Sequence, residues 1–238
     1  EARRVRLLGE VAHELRTPLT VIDGYVEGML DQVLPTDAGS LGQVLDESRR
    51  LRRLADDLSA LSRAEEGRLE LKRGTADVRP VVAAAAERLR PQAQDAGLTL
   101  RVDCGAVPLV ADIDADRISQ VVTNLVGNAI RATPAGGSVA VACTGADAWV
   151  VLEVADTGEG LAPADLDRVF ERFYRVPGRA GAGQDSGTGI GLTISREIIR
   201  GHGGDLVAAS AGPGAGAVFT ARLPRIAGAS GPAVPATA

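Results

Sequence analysis

Asp116-Arg117-Ile118-Ser119-Gln120-Val121-Val122-Thr123-Asn124-Leu125-Val126-Gly127-Asn128-Ala129-Ile130-Arg131 carries two patterns at once, one apolar and one polar. Val121, Val122, Leu125 and Ile130 turn an apolar face at helical spacing, which predicts a helix over 115–132. Gln120, Asn124 and Asn128 recur every four residues and share a second, polar face. A solvated face ordinarily carries Glu, Lys and Arg, whereas this one carries amides. Amide oxygens are hard ligands that suit Mg²⁺, an ion that keeps several waters and shares its substrate's phosphates. Arg131, one turn beyond Asn128, is spaced to reach a phosphate oxygen.

Toward the C-terminus, strands are expected at 138–144 and 149–155. The second ends in Asp156-Thr157-Gly158-Glu159-Gly160-Leu161. A tight turn accounts for this pattern alone. A carboxylate leaving a buried strand is nevertheless costly unless it finds a donor. An exocyclic adenine amine would supply one, and the glycines would let a base approach the backbone. Further on, Gly187-Thr188-Gly189-Ile190-Gly191-Leu192 opens a helix at 192–201, and a glycine-rich helix start is an anion site suited to phosphates. The dinucleotide spacing G-x-G-x-x-G fails here, because Leu192 or Ile194 fills the third position and no strand precedes it. Residues 176–186 are polar and glycine-rich, as a mobile lid would be. Strands follow near 205–210 and 216–223.

Toward the N-terminus, an Ala-rich helix is expected over 78–95, with strands at 98–103 and 107–111. Helices alternating with a mostly hairpin-connected sheet give an α+β two-layer sandwich. Two long helices, 3–33 and 37–66, come first. Leu8, Val11, Leu15, Leu19, Ile22, Val26 and Met29 form a stripe on one. Leu41, Val44, Ser48, Leu51, Ala55, Leu58 and Ser62 do so on the other, broadened by Leu45, Leu54 and Leu61. Thirty residues make a helix of about 45 Å, and a hairpin that long cannot bury both stripes against itself. A second copy would cover them in a four-helix bundle, so a homodimer is expected. The expected domains are 1–67, a linker over 68–76, a sandwich over 77–226 and a disordered tail over 227–238.

His13-Glu14-Leu15-Arg16-Thr17-Pro18-Leu19 lies within the first helix. A helical His beside Glu and Arg is commonly a solvated surface residue, but Pro18 changes the weighing. It removes a backbone hydrogen bond and clashes with the Glu14 carbonyl, at roughly 3 kcal/mol. A bend beside His13 is therefore expected, and such bends often serve function. Imidazole is a nucleophile when one nitrogen is deprotonated. Glu14 has the chemistry to hold the proton on the other nitrogen, and Thr17 lies one turn on, on the same face.

Composition excludes several classes. The 26 basic and 31 acidic residues of the 238 are interspersed for a net charge of −5, and the Arg3, Arg4 and Arg6 cluster is too short for a nucleic-acid surface. No run of uncharged apolar residues is long enough to span a membrane. Lys72 is the sole lysine and stands in neither a Walker A loop nor a protein-kinase strand. Phe170, Phe173 and Tyr174 are half of all six aromatic residues, a crowding that asks for a local cause. Cys104 and Cys143 sit apart in strand-like runs with no His nearby, and are expected to be two buried, reduced thiols.

In their order along residues 3–225, these stretches resemble the bacterial sensor histidine kinases. His13 to Leu19 is similar to that family's H box, the stripe through Asn124 and Asn128 to its N box, and Asp156 to Gly160 to its first glycine box. Phe170-Glu171-Arg172-Phe173-Tyr174-Arg175 is similar to its F box, and Gly187 to Gly191 to its second glycine box. The resemblance implies a dimerising phosphotransfer hairpin followed by a Bergerat ATP-binding fold. His13 would accept the phosphoryl group, Glu14 would be its general base, and Thr17 would position the water that hydrolyses a partner's phosphoaspartate. Asn128, helped by Asn124, would hold Mg²⁺, and Asp156 would bind the adenine amine of ATP. Gly158, Gly160, Gly187, Thr188, Gly189, Gly191 and Leu192 would shape the nucleotide site, and Arg131 and Arg175 would contact phosphates. The implied partner is the receiver domain of a response regulator. The implied setting is cytoplasmic, as part of a longer protein that is membrane-bound in many relatives.

Two departures stand out. Ala132 occupies a place where many relatives carry an aromatic residue, and Arg131 stands where Lys is common, which keeps the charge and changes its geometry. Chaperone and DNA-repair ATPases share the ATP fold, but His13, Glu14 and Thr17 on a dimerising helix argue against them. Intact Asn128, Asp156 and glycines argue against a catalytically silent docking dimer.

Overall fold

The computed structural model describes residues 2–65, 70–177 and 188–226. The chain forms two compact units, a helical hairpin and an α+β sandwich. The expected tail 227–238, linker residues 68 and 69, most of the expected lid and Gly187 lie outside the described residues.

In the hairpin, α1 (Ala2–Leu30) runs without interruption through Pro18, and α2 spans Ala38–Glu65. The first helix stops three residues before the expected Val33. Gln32 takes a left-handed backbone (φ 56°), and the Val33 and Leu34 N–H groups both fold back to the Gly28 carbonyl, at 2.9 and 2.8 Å. That geometry closes the helix, and Pro35 cannot restart it. Asp37 caps α2 by accepting the Ser40 N–H at 2.9 Å, a bond that holds its carboxyl below the ordinary value. The single hairpin leaves Leu19, Val26, Leu41 and Leu45 exposed while burying Leu54.

The sandwich opens with β1 (Gly74–Asp77), which pairs antiparallel with β3 (Val110–Ile113). These residues were expected to belong mostly to the linker, because a four-residue strand owes its existence to a distant partner. The expected single helix over 78–95 is two helices, α3 (Val78–Glu87) and α4 (Arg90–Asp95). Pro91 explains the break: it brings no N–H, and its ring would meet the Glu87 carbonyl. The predicted strand at 107–111 falls instead at 110–113.

The main sheet has the order β2-β4-β5-β7-β6, from β2 (Thr99–Asp103), β4 (Ser138–Ala146), β5 (Trp149–Asp156), β7 (Val218–Pro224) and β6 (Asp205–Ala209). All its neighbours are antiparallel except β2 and β4, which run parallel with Leu100 opposite Val139 and Asp103 opposite Ala142. The helix over 115–132 is found with those bounds as α5, and α6 covers Gly191–Gly201. Helices α3, α5 and α6 pack against the sheet. The core joins Val82 of α3, Ile118, Val121 and Leu125 of α5, and Ile194 and Ile198 of α6 to Val141, Leu152, Val154, Leu206 and Leu223 of the sheet. Each such side chain contributes about 1.5–3 kcal/mol on leaving water.

Candidate functional site

Helix α5 carries the site, and its start is tied down most heavily. Asp114 caps it, accepting the Arg117 N–H at 3.1 Å and the Lys72 N–H at 2.9 Å. Burial works to raise this carboxyl, but the two amide donors and the nearby Arg117 outweigh it and hold it below the ordinary value. The Asp114 N–H donates to Nε2 of His202 at 2.9 Å, and Nδ1 of the same ring lies 2.8 Å from the Ile198 carbonyl. Nε2 is therefore the acceptor and Nδ1–H the donor, which fixes one neutral tautomer. Burial pushes this histidine down. His202 thus has a structural role, fastening the start of α5 to the end of α6.

The three amides of the α5 stripe have different neighbours. Gln120 Oε1 accepts from Arg117 at 3.0 Å, at the far end of the stripe. Asn124 Nδ2 donates to the Gly191 carbonyl at 3.2 Å and to Ser195 Oγ at 3.3 Å, linking α5 to the first turn of α6. Asn128 Oδ1 accepts from the Arg131 guanidinium. Asn124 is thus a strut between two helices as well as a candidate ligand. Ser195, fully buried and itself bonded to the Gly191 carbonyl at 2.8 Å, is a member of the site that sequence reading missed. Its spacing four residues after Gly191 was the available signal.

Asp156 is buried at the end of β5. Its Oδ1 accepts the Gly158 N–H at 2.9 Å and the Ala217 N–H at 3.2 Å, so two protein amides aim the carboxylate. The segment after it is clamped on both sides. The Glu159 N–H donates to the Ala132 carbonyl at 3.0 Å, the Gly214 N–H to the Glu159 carbonyl at 2.6 Å, and the Leu161 N–H to Ser210 Oγ at 3.0 Å. A Cβ at Gly158 would collide with the Ala132 carbonyl. That glycine is therefore required for the C-terminal end of α5 to sit against the turn, beyond any approach of a base. Gly160 belongs to the same clamped turn.

The aromatic crowding finds its local cause. Phe170 is buried, edge-on to Phe219 with ring centres 6.3 Å apart, and the Arg196 guanidinium lies over it at 4.6 Å. Its carbonyl accepts from Thr193 Oγ1 at 2.9 Å. The Tyr174 hydroxyl donates to Asp165 at 2.6 Å beneath the Arg168 guanidinium, and this bond raises the phenol above its ordinary value. Between them Phe173 takes a left-handed backbone (φ 55°), and its N–H donates to the Gly189 carbonyl at 2.9 Å. Gly189 has φ 70°, and a Cβ there would run into the Phe173 backbone. The F-box stretch thus pins both ends of the loop that joins it to α6. Arg175 is exposed just inside that loop, and Thr188 is half-buried at its other end.

Gly191 is the first residue of α6 and Leu192, half-buried, the second, and Ile190 before them provides no side-chain cap. An α-helix begins with amide N–H groups that need acceptors, so this start is suited to phosphate oxygens. Mg²⁺ fits the donor set in one respect. Among the described residues no three His, Cys, Asp or Glu stand together as a cage, and the stripe offers neutral amide oxygens. Such donors suit an ion that arrives already bound to phosphates. His13 and Glu14 lie in the helical unit, within α1, and Thr17 is exposed on the same helix.

Comparison with known proteins accords with both units. Residues 3–67 match the His Kinase A (phospho-acceptor) domain, and residues 113–227 match the histidine kinase-, DNA gyrase B- and HSP90-like ATPase family. Sensor protein SrrB of Staphylococcus aureus (strain N315) is 37% identical over 224 residues, covering 92% of this chain and 37% of that protein. The chain therefore spans little more than a third of the length of the curated relatives it matches. Among solved structures, Acinetobacter baumannii histidine kinase AdeS superimposes with a TM-score of 0.75 at 28% identity, covering 89% of this chain and 97% of that one. Histidine kinase ThkA, solved in complex with response regulator protein TrrA, shares the fold with a TM-score of 0.72 at 23% identity, over 94% of this chain and 64% of that one. With a phosphoacceptor hairpin, an ATPase domain and the five sequence boxes in order, the chain belongs to the sensor histidine kinases.

Proposed function

We propose that this chain is the catalytic core of a sensor kinase that transfers the γ-phosphoryl group of ATP to its own His13 and then to an aspartate of a response regulator. The observation that carries the reading is the bond from Asn124 to Gly191, which sets the amide stripe of α5 beside the amide-rich start of α6. One wall then offers amide oxygens and helix N–H groups together, which is what a polyphosphate with its metal requires. Asp156, aimed by Gly158 and Ala217, accepts the adenine amine. Mg²⁺, held by Asn128 with Asn124 beside it, would offset charge on the phosphates. Arg131, already bonded to Asn128, supplies a positive charge next to that oxygen. Arg175, exposed where the loop begins, would add a second positive charge for the phosphates.

In the chemical step, the unprotonated nitrogen of His13 attacks the γ-phosphorus. The bond to the bridging oxygen of ADP breaks, and Glu14 stabilises the imidazolium that forms. The phosphoramidate then passes its phosphoryl group to a receiver carboxylate, returning His13 to its starting form. The association of ThkA with TrrA supports a receiver as partner. Thr17 orients the water that later hydrolyses the acyl phosphate. Exposed Leu19, Val26, Leu41 and Leu45 support a homodimer as the working form. No helix among the described residues is long and apolar enough to cross a membrane, and the proposed setting is a cytoplasmic core within a longer, membrane-anchored protein.

The test is a two-stage incubation with γ-labelled ATP and Mg²⁺, followed by a panel of receiver domains. The label is expected first on this chain, stable to base and lost in acid, and then on one receiver. Label that never appears on the chain, or never leaves it for any receiver, would overturn the corresponding step.

A further inference from the structure

The two cysteines, distant in sequence, meet in the fold. In the parallel pairing of β2 with β4, Leu100 stands opposite Val139 and Val102 opposite Val141. Continuing that register by one residue past Asp103 and Ala142 brings Cys104 opposite Cys143. The period-2 alternation places both on the face of Leu100, Val139 and Val141, the buried side of the sheet. The expectation of two buried, reduced thiols holds for Cys143 and is corrected for Cys104, which is only half-buried, and the register sets the two side by side. Both are free thiols.

We propose that Cys104 and Cys143 form a dithiol site that a hydroperoxide converts, reversibly, into a disulfide within the chain. Adjacent strands lie about 4.7–4.9 Å apart, and a disulfide spans Cα separations of about 4.4–6.8 Å, so register alone brings the pair within bonding reach. The environment divides the roles. Cys143 is fully buried, and the neighbouring Cys104, together with burial, keeps its thiol protonated far above the ordinary thiol range. Cys104 is held below that range, chiefly by the neighbouring Cys143 thiol and further by the Arg79 guanidinium, against the opposing influence of burial, Asp103 and Asp77. Arg79 is positioned for this by its ion pair with Asp77 at 2.6 Å and its bond to the Gly105 carbonyl at 3.2 Å, one residue beyond Cys104.

Cys104, as thiolate, attacks one peroxide oxygen. The O–O bond breaks, the leaving oxygen departs as water or alcohol after protonation, and Cys104 becomes a sulfenic acid. The Cys143 sulfur then displaces that hydroxyl, losing its proton to the departing water, and the S–S bond forms. Two thiols and one hydroperoxide give one disulfide, one water and one further water or alcohol. A thiol reductant reverses the change. The bond would close a loop containing all of α5, the helix that bears Asn124 and Asn128.

With only two cysteines in the chain, intact mass reads the bond without ambiguity. The folded chain is treated with hydrogen peroxide, unfolded in the presence of an alkylating agent and weighed. The expected product has lost two hydrogen atoms, takes up no alkyl group, has the mass of one chain and returns to two alkylated thiols after dithiothreitol. Cys143→Ala should instead hold Cys104 as a sulfenic acid that dimedone traps. The proposal is overturned if the parent chain keeps two alkylatable thiols. Accumulation of the same dimedone adduct as in the variant, or a bond joining two chains, would also overturn it.

Discussion

The helical hairpin and the sandwich treat apolar surface in opposite ways. In the sandwich, the stripes of α5 and α6 are consumed: Ile118, Leu125, Ile194 and Ile198 are at most 1% exposed. On the hairpin, the stripe predicted with equal regularity is only half used, with Leu41 and Leu45 each about half exposed. The periodicity is the same, but the sandwich has a sheet to receive its helices, whereas in the hairpin one helix faces the other. One unit is complete as a single chain, and the other presents a face that a second copy can cover.

The largest expected effect probes that contrast directly. Leu125→Ala should cost about 2–5 kcal/mol, since a filled core position collapses poorly around a missing side chain. The Leu41→Ala, Leu45→Ala pair should leave the sandwich's melting transition unchanged while shifting the chain from dimer to monomer in sedimentation. Equal thermal losses in both variants, with no change in mass, would show that the two units bury their stripes alike.

A smaller effect lies within the sandwich. Asn128→Ala removes an amide oxygen but no core volume, so the fold should persist while Mg²⁺-dependent binding of an ATP analogue weakens about tenfold, or about 1.4 kcal/mol. Titration calorimetry with and without the metal measures it. Unchanged metal dependence would leave Asn128 as a partner of Arg131 only.

The smallest effect concerns pH. His202 is neutral in the fold and lowered by burial, so the unfolded chain binds its proton first. Its contribution is therefore complete above the ordinary histidine value of about 6.5 and is lost as pH falls from there through the folded value. Protonation would turn the Nε2 acceptor into a second donor facing the Asp114 N–H. Denaturant melts across this window should show a slope that His202→Gln flattens. An identical slope in both proteins would assign the dependence elsewhere.

How far the sequence could be read follows the range of the forces involved. The limits of α5 were legible because its amphipathic pattern is local. The break between α3 and α4 was obscured by a run of alanines, although Pro91 announced it. Strand β1, the parallel pairing of β2 with β4 and the meeting of Cys104 with Cys143 depend on partners dozens of residues away, which no local pattern encodes. The site divides in the same way. Spacing placed Asn124 and Asn128 on one stripe, but only the packed structure gives one to Gly191 and Ser195 and the other to Arg131. The same packing gives Gly158 its second reason to be glycine.

In the proposed function, the phosphoryl group from ATP first rests on His13. The direct measurement is peptide mapping, at neutral to basic pH, of the chain after reaction with ATP and Mg²⁺, beside His13→Gln under the same conditions. One phosphorylated peptide is expected, with the group on the His13 imidazole, and none in the variant despite undiminished binding of an ATP analogue. A phosphoryl group on any other residue, or equal labelling of His13→Gln, would contradict it.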